Sequence, residues 1–118
     1  MPRDLSGARG ADSGAGAVKP DELDRVIHEP VRLSIAAVLA ARREVDYLEL
    51  RSLLALTDGN LAAHAGVLER HGYVAAEKGF AGKRPRTTYR LTPAGRRAFA
   101  RHVERLRVLL GEGERDRR

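Results

Sequence analysis

The sequence predicts a mainly α domain with one small β-hairpin, an α+β fold, and three observations carry that prediction. Apolar residues recur at helical spacing in four segments before residue 72. Two runs of strand character follow, Tyr73–Lys78 and Thr87–Leu91, with a basic, glycine-containing loop between them. A last segment returns to helical spacing, with Phe99, Val103, Leu106 and Leu110 on one stripe.

The first helical pattern opens on Asp21, Glu22 and Asp24, acids that suit a helix N-terminus, and places Leu23, Val26 and Ile27 on one face. Glu29-Pro30 interrupts it, because a residue before proline disfavours the helical basin and proline suits a first turn. The second helix, Pro30 to about Arg42, is apolar on nearly all sides and is expected at the centre of the core. Glu44-Val45-Asp46 has room for no more than a β-bridge. Tyr47, Leu50, Leu53 and Leu54 then give a third helix to about Ala55. Thr57 caps a fourth, whose core stripe is Leu61, Ala65 and Leu68 and which ends near Gly72. The loop between the two strands is expected to span Gly79–Arg86, and Thr92-Pro93 starts the last helix. Residues 1–19, with four glycines and two serines, read as a disordered tail, and residues 111–118 as a frayed end, leaving 20–110 as the domain.

A chain of 118 residues has room for one such domain. It is 42% apolar but carries only five aromatic rings, so Leu, Val, Ile and Ala must build the core. Without cysteine it forms no disulfide, thiolate metal site or cysteine nucleophile. His28, His64, His71 and His102 show no ligand spacing, so no metal and no cofactor is expected. No nucleophile–base pair, paired carboxylates or phosphate-binding loop points to an enzyme. With no apolar run of membrane length and no signal-peptide stretch, the expected location is the cytoplasm.

Charge is distributed unevenly. Residues 78–107 hold ten basic side chains against Glu104 alone, whereas residues 1–77 carry nine basic and twelve acidic groups. Such asymmetry suggests a face for a polyanion. Two helices, then a helix, tight turn and helix, then a basic hairpin make the order of a winged helix-turn-helix, in which the helix after the turn lies in the DNA major groove. With Leu61 and Leu68 facing the core, Gly59, Ala63, Gly66 and Arg70 point outward and Asn60 and Val67 flank them. Asn60 is suited to adenine, Arg70 to phosphate or guanine, and Ala63 or Val67 to a thymine methyl. Lys83, Arg84 and Arg86 suit phosphates or the minor groove.

The segments LTDGNLAAH (56–64), LERHGYV (68–74), GKRPRTTYRLT (82–92) and AGRRAFARHV (94–103), with HEPVR (28–32), resemble winged-helix transcriptional regulators of the ArsR and MarR types over residues 21–110. The resemblance implies a homodimeric transcription factor, usually a repressor, with double-stranded DNA as partner and room for a small-molecule effector. It places DNA contacts at Thr57, Asp58, Gly59, Asn60, Ala63 and His64 and at Lys83, Arg84, Arg86 and Thr87. It places the dimer contact on Leu23, Val26 and Ile27 and on Phe99, Val103, Leu106 and Leu110. Asp58, an acid beside phosphate, is read as a capping group, and His64 as packing or DNA-contacting alike. Where such recognition helices carry leucine after the histidine, this chain has Ala65-Gly66. The alternatives are a winged-helix protein-docking module and a non-specific DNA-binding protein.

Overall fold

The computed structural model describes residues 18–111. A single 3₁₀ turn, Pro20–Glu22, precedes α1 (Arg25–His28), α2 (Pro30–Ala41), β1 (Val45–Asp46), α3 (Tyr47–Leu54), α4 (Asp58–Arg70), β2 (Val74–Ala81), β3 (Arg84–Leu91) and α5 (Pro93–Leu109). The fold is therefore the expected α+β one, five helices with a three-stranded antiparallel sheet. Except for Val18, Lys19 and Gly111, the two expected tails lie outside the described residues.

Side chains set the helix starts. Asp24 accepts the N–H groups of Val26 and Ile27, satisfying donors that a first turn leaves open. That cap starts α1 at Arg25, so Leu23 belongs to no α-helix and the expected shared face with Val26 and Ile27 is not formed. Glu29 accepts from Arg32 N–H at the start of α2, with Pro30 in the first turn. Asp46 does the same for α3 through Glu49 N–H, and Thr57 for α4 through Asn60 N–H. A polar oxygen stands before each of the four helices, which is why these boundaries are sharp.

The sheet order is β1-β3-β2. Val45 and Asp46 pair with Tyr89 and Thr88, so the expected bridge is a two-residue strand. β2 and β3 pair in unbroken register from Val74↔Leu91 to Ala81↔Arg84. The expected eight-residue basic loop is thus wrong: only Gly82 and Lys83 turn the chain. Gly82 takes φ +67° at the first turn position, a conformation that hairpin twist favours and glycine adopts freely.

The described residues fall into two compact units, Asp24–Ala100 and a second to which residues 18–23 and 101–111 belong. In the first, Ile35, Ala36 and Leu39 of α2 pack with Val45, Leu50, Leu61, Ala65, Leu68, Val74, Tyr89 and Leu91. Helix α2 is central, as its composition predicts, and Tyr89 and Leu91 face inward while Arg90 is exposed. Leu53 departs from its expected stripe and lies 46% exposed. In the second unit Arg105 Nη1 donates to Glu22 O at 2.7 Å.

Helix α5 buries residues that lie beside its expected apolar stripe. Gly95, Ala98 and His102 are buried, while Phe99, Val103 and Leu106 are half-buried and Leu110 is exposed. Small side chains explain that burial at the helix start, since a Cβ on Gly95 would collide with the Tyr73 carbonyl oxygen. Thr92 fixes that approach: its N–H donates to Tyr73 O, its hydroxyl donates to Gly72 O at 2.6 Å, and it caps Gly95 N–H.

Candidate nucleic-acid interface

Helices α3 and α4 are joined by three residues, Ala55-Leu56-Thr57. The turn is tight because Ala55 adopts the left-handed conformation (φ 53°, ψ 47°). Leu56 N–H then bonds back to Arg51 O, and Ala55 N–H to Ser52 O, a Schellman-type end to α3. Leu50 on α3 and Leu61, Ala65 and Leu68 on α4 hold the pair against the core, leaving the opposite side of α4 exposed.

On that side Gly59, Asn60, Ala62, Ala63 and Arg70 are exposed, with Gly66 and Val67 half-buried. Ala62 joins a face to which the residue pattern alone does not assign it. Because Thr57 performs the capping, no hydrogen bond within the described residues occupies the Asn60 side chain. Gly66 is a constituent of an unbroken helix, and the Arg70 guanidinium lies over it, 3.3 Å from where a Cβ would stand.

Two of the expected DNA-facing residues are engaged within the fold. Asp58 is the first residue of α4, not its cap. One carboxylate oxygen accepts from the Tyr47 hydroxyl at 2.8 Å and from Arg51 Nη1 at 2.6 Å. The Tyr47 hydroxyl, then Arg51, hold the Asp58 carboxyl below the usual carboxylate range, and the same bond raises the Tyr47 phenol above its ordinary value. His64 turns toward the α1–α2 junction: Nδ1 is 3.1 Å from Arg32 Nη1 and 3.6 Å from Glu29 Oε1, while Arg32 Nε donates to Val26 O. That geometry favours its packing role. The Tyr47–Arg51–Asp58 group escapes sequence reading because it forms across the turn, where no residue spacing marks it.

The wing consists of β2 and β3 beyond their pairing with β1. Lys83 at the turn and Arg84 and Arg86 on β3 are exposed, and Thr87 is half-buried. Arg86 Nη2 lies 3.6 Å from Oδ2 of half-buried Asp46, a long contact that restrains the exposed arginine little. Arg84, Arg86 and Arg90 alternate with Pro85, Thr87 and Tyr89, so three cations share one face of β3. Burial pushes the Tyr89 phenol up, consistent with its inward position. Of the expected dimer residues, Ile27 is 1% exposed and so spent inside the protomer, whereas Phe99, Val103, Leu106 and Leu110 all keep exposed surface.

A capped helix-turn-helix followed by a cationic hairpin defines a winged-helix DNA-binding domain. The chain belongs to that family: residues 31–110 match the model of the winged helix DNA-binding domain. An uncharacterised protein of Methanocaldococcus jannaschii is 33% identical over 79 residues, covering 67% of this chain and 86% of that protein. The structure of a transcriptional regulator homologue from Pyrococcus horikoshii superposes with a TM-score of 0.70 at 36% identity, over 74% of this chain and 86% of the other. NadR, solved in complex with 4-hydroxyphenylacetate, shares the fold with a TM-score of 0.63 at 20% identity, over 77% of this chain and 64% of NadR. Among the described residues no helix is long and apolar enough to cross a membrane, and no cluster of ligating side chains could hold a metal.

Proposed function

We propose that the protein is a cytoplasmic homodimeric repressor that binds a roughly palindromic operator and has no catalytic activity. α4 enters the major groove with Asn60, Ala63, Val67 and Arg70 toward the bases, and Thr57 and Gly59 near the backbone. Lys83, Arg84, Arg86 and Thr87 reach phosphates or the minor groove. The observation that carries this reading is the exposed small-residue face of α4 beside an arginine-bearing wing in one compact unit. Small outward side chains let a helix backbone approach base edges, and cations supply phosphate attraction. Phe99, Val103, Leu106 and Leu110 supply the dimer contact, which sets two α4 helices about one DNA turn apart. The ligand held by NadR supports including a small-molecule effector in the proposal.

The test is a titration against the duplex upstream of the protein's own gene and a scrambled duplex, at two salt concentrations. Tight, salt-sensitive binding to the first alone is expected. Arg84→Ala with Arg86→Ala weakens binding to every duplex and lowers the salt slope by about one unit for each phosphate no longer neutralised. Asn60→Ala instead relaxes preference at one or two bases, by about 1–3 kcal/mol. Equal binding to both duplexes would make the protein a non-specific DNA binder, and binding to neither at low salt would turn the reading to a protein-docking module.

A further inference from the structure

Phe80 is the most exposed large apolar side chain among the described residues, at 73%, and it takes no part in the core or in the shell packed against it. It stands on β2, one pair below the turn. Because Ala81↔Arg84 closes a two-residue turn through paired backbone bonds, Phe80↔Pro85 is the next, non-hydrogen-bonded pair. The missing N–H of Pro85 therefore costs the ladder nothing, and the two residues stand at the closer of the two cross-strand spacings. Alternation puts Phe80 and Pro85 on one face of the wing and Arg84 and Arg86 on the other, opposite Ala81 and Gly79.

The segment that carries this apolar pair is otherwise cationic. Lys78, Lys83, Arg84 and Arg86 are all exposed, and residues 78–86 contain no acid. A large apolar group among four cations suits a partner that is apolar in its depth and anionic at its rim. A second copy of the wing fits badly, because it would bring four more cations to the contact. A membrane surface asks for more apolar area than one ring and one proline provide. The DNA minor groove has the required make-up, with phosphates along its edges and stacked bases within. Proteins that bind it insert apolar side chains, Phe and Pro among them, between base steps.

We propose that Phe80, with Pro85 across the ladder from it, is an apolar wedge that enters the minor groove, opens one base step and kinks the duplex. The wing then selects DNA by how readily it deforms, beyond gripping its phosphates. Lys83 at the turn and Arg84 and Arg86 on the opposite face meet the flanking phosphates. Pyrimidine–purine steps unstack with least resistance, so the wedge favours them, at positions that α4 does not touch. This inference deepens the DNA-binding reading above and rests on it.

The probes are two duplexes of about 30 base pairs, an alternating T-A sequence rich in deformable steps and an A-tract, which is stiff and narrow-grooved. Both carry the same charge. Cations alone favour the A-tract, whose narrow groove concentrates negative potential, whereas a wedge favours the alternating duplex. Phe80→Thr keeps a strand-forming residue and removes the wedge. The full-length wild-type protein is expected to prefer the alternating duplex about five- to tenfold more than Phe80→Thr does, any preference of α4 being common to both. It should also raise energy transfer between dyes on the two ends of that duplex, which Phe80→Thr should not. Phe80→Leu should restore both effects, and all three proteins should share one thermal midpoint. The same preference and the same bend in Phe80→Thr would overturn the wedge and leave the DNA-binding reading in place. Binding of neither duplex at low salt would remove both, and Phe80-dependent binding to phosphatidylserine vesicles in its stead would assign the ring to a membrane surface.

Discussion

Asp58 begins α4 as an acid on the helix proposed to meet DNA, and its two bonds to α3 offset its charge. Tyr47 and Arg51 converge on one carboxylate oxygen, so the charge is compensated locally and α3 is pinned to the first turn of α4. The pH behaviour follows from the directions of the shifts. The Asp58 carboxyl titrates below its ordinary range, so its stabilising effect is present above that range and is lost as pH falls through the lowered value. The Tyr47 phenol titrates above its ordinary range, so its share is present below that range and is lost as pH rises through the raised value. In an NMR titration, Tyr47→Phe is expected to move the Asp58 midpoint back up, with Arg51 still holding part of the shift; an unmoved midpoint would refute the bond. Gly95 is a second such residue, at which the argument is steric. Gly95→Ala forces a methyl into the Tyr73 carbonyl and is expected to destabilise by about 1–3 kcal/mol in urea denaturation.

Among the elements, the turn between α3 and α4 carries strain that its residue does not suit. A left-handed alanine costs about 1–2 kcal/mol, which glycine avoids. Ala55→Gly is therefore expected to stabilise the domain by up to about 1 kcal/mol, read as a higher urea midpoint with an unchanged slope. Helix α4 is the most legible in the sequence because its capping residue, Thr57, and its buried stripe, Leu61, Ala65 and Leu68, agree, whereas the apolar period misleads at Leu23 before α1 and at Leu53 in α3. The strands are longer than their residues suggest. Gly79, Gly82, Lys83 and Pro85 have loop character as side chains, yet backbone pairing extends the ladder to within two residues of its tip. The buried residues of α5 are not legible in the sequence because small side chains mark the close packing there, on Gly95 and Ala98, beside the apolar stripe of Phe99, Val103, Leu106 and Leu110. The cationic wing is visible as a run of charge; the bonds of Asp58 and His64 are not, since they depend on angles between helices.

At the scale of the whole molecule, the net charge of +6 and the exposed apolar residues of α5 concern association more than folding. Leu109 and Leu110 are 48% and 64% exposed at the end of α5, beside half-buried Val103 and Leu106. A surface of this kind is expected to be covered by a second copy. Sedimentation equilibrium should give a dimer for the full chain and a monomer for Leu106→Glu with Leu110→Glu, with circular dichroism unchanged. A monomeric wild-type protein would remove the palindromic operator from the proposal, because two half-sites need two linked recognition helices.

The knot of bonds at Thr92 fixes what kind of mechanical part the wing is. Both feet of the hairpin are anchored, through Gly72 O and Tyr73 O, at the exit of α4. Lateral support from β1 ends at Thr88, and the last four cross-strand pairs, Lys78↔Thr87 to Ala81↔Arg84, project without it. The wing is a cantilever about 13 Å long, stiff at the root and compliant at the tip. A two-stranded ribbon of that length, held at its root alone, bends more readily at its tip than at its base. If the wing and α4 meet DNA as proposed, grip on the phosphates and reading of the bases are mechanically independent, and the tip is expected to tolerate changes in charge or length without disturbing the register of α4.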